Sequence, residues 1–211
     1  MTSTAASSVS AEPPGPDRSA GPGPVPNDAP VLPDHVLAAA GHTGPGPRFA
    51  DPVWDMGPFL PRSTSERTIV FTSVVDAVTA LVLREYLYSR LRRGNSSLVR
   101  RGPMKLTGIF GAFQKARTVI TTFQAVGARR LGDVTSDHLQ AALERWQSVS
   151  AEEAALRVTA VKHLFAHGPF LTADRLLVNP WPAPPGTRWP EWYATRRTPP
   201  NASPRRSSLR S

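Results

Sequence analysis

The chain has 211 residues, 40% of them hydrophobic, and 25 Lys and Arg against 16 Asp and Glu give a formal net charge of +9. It has no cysteine, which excludes disulfides, thiolate metal sites and cysteine nucleophiles. No apolar run approaches the length of a membrane span and no signal-peptide pattern opens the sequence, so a cytoplasmic protein without membrane contact is expected.

Residues 1–47 are rich in Pro, Gly, Ser and Ala, with large apolar side chains only around Val31–Val36. Such a segment buries too little surface to offset chain entropy. A disordered leader is predicted, with room for a short helical turn near Pro33–Ala40. Phe49, Val53, Trp54, Met56, Phe59 and Leu60 then cluster between prolines and read as an extended strap docked on a folded body. Thr68–Thr72 is a short β-branched and aromatic run, which predicts a strand. Asp76 can N-cap a helix reaching Arg93, ended by Gly94-Asn95. Residues 48–102 thus form a segment of strap, short strand and helix.

The stretch from Met104 to Trp181 reads as three helices. Leu106, Ile109, Phe110, Phe113, Ile120 and Phe123 recur at helical spacing between Pro103 and Gly127. Thr135 N-caps a second helix carrying Leu139, Ala142, Leu143, Trp146 and Val149. Ser150 and Glu153 form a capping box for a third, with Ala154, Val158, Val161, Leu164 and Phe165 on its apolar face. Gly168 and Pro169 end that helix, and a shorter turn is expected over Thr172–Val178. Each helix has one apolar face, so residues 103–182 predict a small helical bundle, with Phe110, Phe113, Phe123, Trp146 and Phe165 in its core. Residues 183–211 interleave Pro and Arg with no period, which predicts a disordered tail.

The charge is unevenly placed. Between Arg90 and Arg130 lie ten basic residues and no Asp or Glu. A basic face of this kind is the footprint expected for phosphate; a merely solubilising face is the alternative. The candidate phosphate contacts are Arg100, Arg101, Lys105, Lys115, Arg117, Arg129, Arg130 and Lys162, and Thr107 and Gln114 are candidates to approach bases. His163 and His167 are four apart on one helix, but Leu-Phe-Ala between them supplies no Glu and no third ligand is evident. No metal, cofactor or phosphate-loop motif is predicted.

Several landmarks carry a family resemblance. They are Phe123 near a helix end, Gly127, Leu131, Asp133-Val134-Thr135, His138-Leu139, Ser150 opening a helix, Leu164-Phe165 and the exit Asn179-Pro180-Trp181. The stretch Met104–Trp181 resembles the SAM-like core-binding domain of tyrosine recombinases, the phage-type integrases. Upstream, Phe49 to Asp55, Ile69 to Phe71 and Arg84 to Tyr88 are similar to leaders of actinobacterial integrase-like proteins. The resemblance implies a mainly α domain that grips duplex DNA beside a catalytic domain. In that family a tyrosine attacks the scissile phosphate and cations stabilise the developing charge.

This sequence departs from the family at the chemistry. None of His35, His42, His138, His163 or His167 begins a His-x-x-Arg motif, and Tyr86, Tyr88 and Tyr193 lie in no catalytic context. The expectation is double-stranded DNA binding in an integration or recombination setting, with no catalytic residue in this chain and a separate recombinase chain as a candidate partner. A truncated or frameshifted integrase fits the Pro/Arg tail. The alternative expectation is a helical module that binds another protein through its strap over 48–61 and its tail tryptophans, or a truncated product with no activity.

Overall fold

The computed structural model describes residues 23–40, 44–74, 76–94 and 104–181. Local capping sets the starts of three long helices. The carboxylate of Asp76 accepts from Thr79 N at 2.8 Å and opens α2, Ala77–Arg93. Thr135 caps His138 N and opens α4, Ser136–Gln147. Ser150 Oγ accepts from Glu153 N at 3.0 Å and opens α5, Ala151–His167. Between α2 and α4 lies α3, Ile109–Ala125, entered through a 3-10 turn over Leu106–Gly108. The predicted start at Pro103 lies outside the described residues.

Glycine is needed at the end of α3. Gly127 has φ +107°, and Gly127 N and Ala128 N donate to Gln124 O at 3.2 Å and Phe123 O at 3.0 Å. This paired closure satisfies carbonyls the helix leaves open, and a side chain at that φ is strained.

The strap proves to be half of a sheet. Strand β1, Val53–Asp55, pairs antiparallel with β2, Thr68–Val70. Trp54 and Ile69 face each other on the inner side and are fully buried, while Val53 and Val70 pair on the outer side. Alternation along each strand follows from the two-residue period. Aromatic edges carry the contact inward, with Trp54 on Phe71 at 4.8 Å between ring centroids and Phe71 on Phe113 of α3 at 5.7 Å. The hairpin therefore docks on the bundle as expected of the strap.

Among the described residues the protein is mainly helical, a small bundle with one two-stranded sheet. Helix α2 packs against both α3 and α5, and α4 packs against α5 and α3. Val82, Leu83, Tyr86, Leu87 and Leu91 of α2 belong to the same buried cluster as the core of α3, α4 and α5. The expected division near residue 102 is thus not a division of the core: α2 lies inside the bundle. Phe110, Phe113, Phe123 and Trp146 are buried and Phe165 packs partly buried against them, in the core roles predicted. Among the described residues no helix is long and apolar enough to cross a membrane.

Four expectations are corrected. The leader is not disordered over residues 23–40 and 44–47: Val31 and Leu32 are 0% exposed, and Val31 N bonds Pro47 O while Phe49 N bonds Ala29 O. A short helix α1, Asp34–Ala39, follows them. Val149 is 74% exposed, because α4 stops at Gln147 before its stripe extends that far. The reciprocal arm of the capping box at Ser150 is replaced, since Glu153 pairs instead with Arg157 one turn further along α5. No helix forms over 172–178, where the Thr172 and Ala173 N–H groups instead bond the Glu85 carboxylate. Residues 1–22 and the predicted tail over 183–211 lie outside the described residues.

Candidate nucleic-acid interface

Helix α3 carries no acidic residue. At 100° per residue its outward ridge holds Gly111, Gln114 and Thr121, all exposed, with Thr118 half-exposed between them. Lys115 and Arg117 lie about 160° apart on the same helix wheel and flank that ridge, both half-exposed. The ridge is therefore neutral and rich in hydrogen-bonding side chains, with one cation on each edge.

Each edge faces a cleft. On one, Lys115 and Thr107 meet Arg90 and Tyr86 of α2 and His163 of α5 around a space of about 270 Å³. On the other, Arg117 and Gln114 meet Glu66, Arg67 and Thr68 of the hairpin around about 290 Å³. There Arg117 Nη2 donates to Ser73 O at 3.2 Å. Beyond the C-terminus of α3, Arg129 and Arg130 line a third cleft of about 370 Å³ with Gln124, Asp76 and Asp174.

The structure thus brings Thr107 to Lys115, Gln114 to Arg117 and Arg129 to Arg130. Lys105 is exposed directly before the 3-10 turn that carries Thr107. Lys162 is half-buried on α5, and desolvation pushes its ammonium down to about 8. Arg100 and Arg101 lie outside the described residues.

At the C-terminal end of α2, Arg90, Arg92 and Arg93 serve the fold. Arg90 is 8% exposed and donates from Nη1 to the Tyr86 hydroxyl at 3.0 Å. Arg92 donates to Pro30 O and lies 5.5 Å over the Tyr88 ring. Arg93 stacks 3.7 Å over Phe170. Guanidinium groups suit such stacking because they are planar and weakly hydrated.

Two buried histidines were not foreseen as part of this region. His163 is 7% exposed and its Nδ1 has no hydrogen-bond partner. Desolvation, aided by Arg90, His167 and Lys115, pushes it down to about 3. His167 contacts Ser89 Oγ through Nδ1 at 2.8 Å and meets Tyr86 edge-on. Desolvation, with Arg90 and Arg93, pushes it down to about 4. Their spacing in the sequence places them on one face of a helix but does not say that a buried arginine from α2 lies against that face. Among the described residues no group of three or more acidic or histidine side chains is placed to hold a metal ion.

Asp76 behaves differently. Burial alone would raise it, but hydrogen bonds from Thr79, Gln124 and Val78 outweigh burial and hold it below the ordinary carboxylate value.

No family model matches this chain, and neither a curated protein nor a solved structure matches it.

Proposed function

We propose that this protein is a non-catalytic module that binds duplex DNA. The observation that carries this reading is the composition of α3: a neutral ridge with Gln114 and Thr121, edged by Lys115 and Arg117, with no carboxylate on the helix. A helix entering a groove needs neutral donors and acceptors toward base edges and cations toward the phosphates on either side. In this reading Lys105, Lys115, Arg117, Arg129 and Arg130 contact phosphate, together with Arg100 and Arg101. Thr107 and Gln114 approach bases. Lys162 contributes least, because its ammonium is already desolvated in the free protein.

The resemblance to a SAM-like core-binding domain of tyrosine recombinases supports the same reading. In this reading the protein acts in the cytoplasm in an integration or recombination setting, with a separate recombinase chain as the catalytic partner. The motifs of strand cleavage are not carried over.

The test is fluorescence anisotropy of a labelled random duplex titrated with the full chain at two salt concentrations. Expected is a Kd on the order of 1–100 µM at low salt that weakens steeply as salt rises. Absence of binding at low salt overturns the reading. It would favour the second one, a helical module docking a protein, for which the outward Val53–Val70 pair of the hairpin, 39% and 37% exposed, is the supporting observation.

A further inference from the structure

We propose that the outer edge of β2 is a docking edge for an extended acidic peptide, which adds a strand in the groove between β2 and α3. The pairing of the hairpin decides which backbone groups are free. Met56 N donates to Arg67 O at 2.8 Å and Phe71 N donates to Pro52 O at 3.0 Å. In the register of the two strands, Trp54 and Ile69 are then the hydrogen-bonded pair between them. Thr68 and Val70 therefore turn their backbone groups away from β1. Ser73 Oγ donates to the Val70 carbonyl at 2.8 Å. The Thr68 N–H, the Thr68 carbonyl and the Val70 N–H have no partner among the described residues.

The groove beside these groups suits a strand. Thr68 and Val70 form one wall, and Phe110, Phe113, Gln114 and Arg117 of α3 the other, around about 290 Å³. Phe110 and Phe113 are buried and give the groove its apolar lining, with Val70 37% exposed at the rim. An unpaired strand edge binds an extended chain through main-chain hydrogen bonds, and pockets beside it take alternate side chains. A docked helix satisfies its own backbone and leaves such groups unpaired. Proteins commonly guard strand edges with proline or charge, and the two edges of this hairpin differ in that respect. The free edge of β1 follows Pro52, carries Asp55 and borders a cleft lined by Asp51, Asp55 and Pro58 without a cation. Strand β2 reads Thr-Ile-Val, with neither guard.

Charge selects the peptide. Arg67 directly precedes Thr68 and donates to Gly57 O, while Arg117 is tied to Ser73 O, beyond Val70. Neither forms an ion pair among the described residues, and each guanidinium keeps further N–H donors. Glu66 is the single carboxylate in the lining. Acidic side chains toward the two ends of the added strand thus meet a guanidinium each, whereas the acidic edge of β1 repels the same peptide. The inference goes beyond the DNA-binding reading and does not rest on it.

The experiment uses the full chain and a short labelled peptide of alternating Glu and Val, with Lys in place of Glu as the control. Anisotropy reads binding, and amide hydrogen exchange followed by NMR locates it. Expected is binding of the Glu peptide at least about tenfold tighter than that of the Lys peptide. Exchange at Thr68 and Val70 slows, while exchange at Ile69, already paired with Trp54, changes little. Thr68→Pro removes one donor at the first residue of an edge strand, where proline is tolerated, and weakens the Glu peptide about tenfold. The exchange measurement is made on the unaltered chain and decides alone if that variant fails to fold. No binding, equal binding of the two peptides, or binding without slower exchange at Thr68 and Val70 overturns the inference. Protection of these amides by a short duplex and not by the peptide makes the edge part of a DNA interface and overturns it too. The DNA-binding reading is decided by duplex anisotropy alone, so the two failures are separate.

Discussion

The carboxylate of Asp174 accepts the backbone N–H of Leu131 at 2.6 Å and that of Gly132 at 2.9 Å, forty-odd residues away in sequence. It caps the 3-10 turn over Leu131–Asp133 and so fixes the connection between α3 and α4, where Arg129 and Arg130 sit. Asp174→Ala leaves two N–H groups without their acceptor. A loss of about 2 kcal/mol is expected, with faster hydrogen exchange at Leu131 and Gly132. Unchanged exchange at those two amides would show that the turn holds itself.

A second carboxylate works in the same manner from the opposite direction. Glu85 is buried on α2 and accepts from Thr172 N at 2.8 Å, from Ala173 N at 3.2 Å and from the Thr172 hydroxyl. Glu85→Ala should cost about 3 kcal/mol, because three donors lose a charged acceptor in a buried place. Glu85→Gln keeps one acceptor oxygen and should lose less. Urea midpoints of the two variants decide the matter, and equal midpoints would show that the retained neutral oxygen adds nothing.

Acid should destabilise the fold well above the carboxylate range. His163 and His167 are pushed down to about 3 and about 4 when folded, from an ordinary 6.5. Below pH 6.5 the unfolded chain therefore binds more protons than the folded one. The stability these groups contribute is fully present above pH 6.5 and is lost as pH falls toward 4 and then 3. The slope approaches about 1.4 kcal/mol per pH unit for each histidine where both states differ fully. Urea unfolding at pH 7 and pH 5 should show this loss, and His167→Gln should roughly halve the slope. A midpoint that does not move between those pH values contradicts the burial of both rings as neutral species.

Much of this architecture is legible in the sequence where the cause is local. Asp76, Thr135 and Ser150 act on N–H groups three residues ahead, and Gly127 acts on its own φ. Those positions are fixed by neighbours in the chain, so reading them requires no knowledge of the fold. Val31 and Leu32 are buried because Val31 N bonds Pro47 O, Phe49 N bonds Ala29 O and Arg92 of α2 holds Pro30 O. A Pro- and Gly-rich composition conceals such long-range pairing. The candidate site is legible only in part. The cations of α3 are visible as a charge run and their separation onto two edges follows from helical spacing, but Arg90, His163 and the cleft they share depend on the packing of α2 on α5.

Trp146 on α4 donates from Nε1 to Thr122 Oγ1 of α3 at 3.2 Å inside the core. Thr122→Val preserves shape and removes the acceptor. It should cost about 1–3 kcal/mol through the orphaned indole N–H, and the Trp146 fluorescence environment should change little. A neutral substitution would imply that another acceptor replaces the hydroxyl.

Under the DNA-binding reading, Arg129→Glu with Arg130→Glu should reduce the magnitude of the salt slope of duplex binding by about 1.8 or more, near 0.9 for each phosphate no longer neutralised. If roughly four phosphates are neutralised in the parent, its slope lies between −3 and −4. A slope unchanged by the double reversal would take these two arginines out of the interface.

The carboxylate of Glu85 also sets an order of events on the ribosome. Its partner Thr172 is made 87 residues later, which at 5–20 residues per second takes roughly 4–17 s. Throughout that interval the nascent α2 carries a charged side chain destined for the interior, and the ring pair Tyr86–His167 waits almost as long. Helices α3 and α4 can form and collapse in the meantime, but α2 cannot be sealed between them and α5 until the stretch of chain after Gly168 emerges. A nascent chain stalled before that point would hold most of its helices and still leave the inner face of α2 open to solvent.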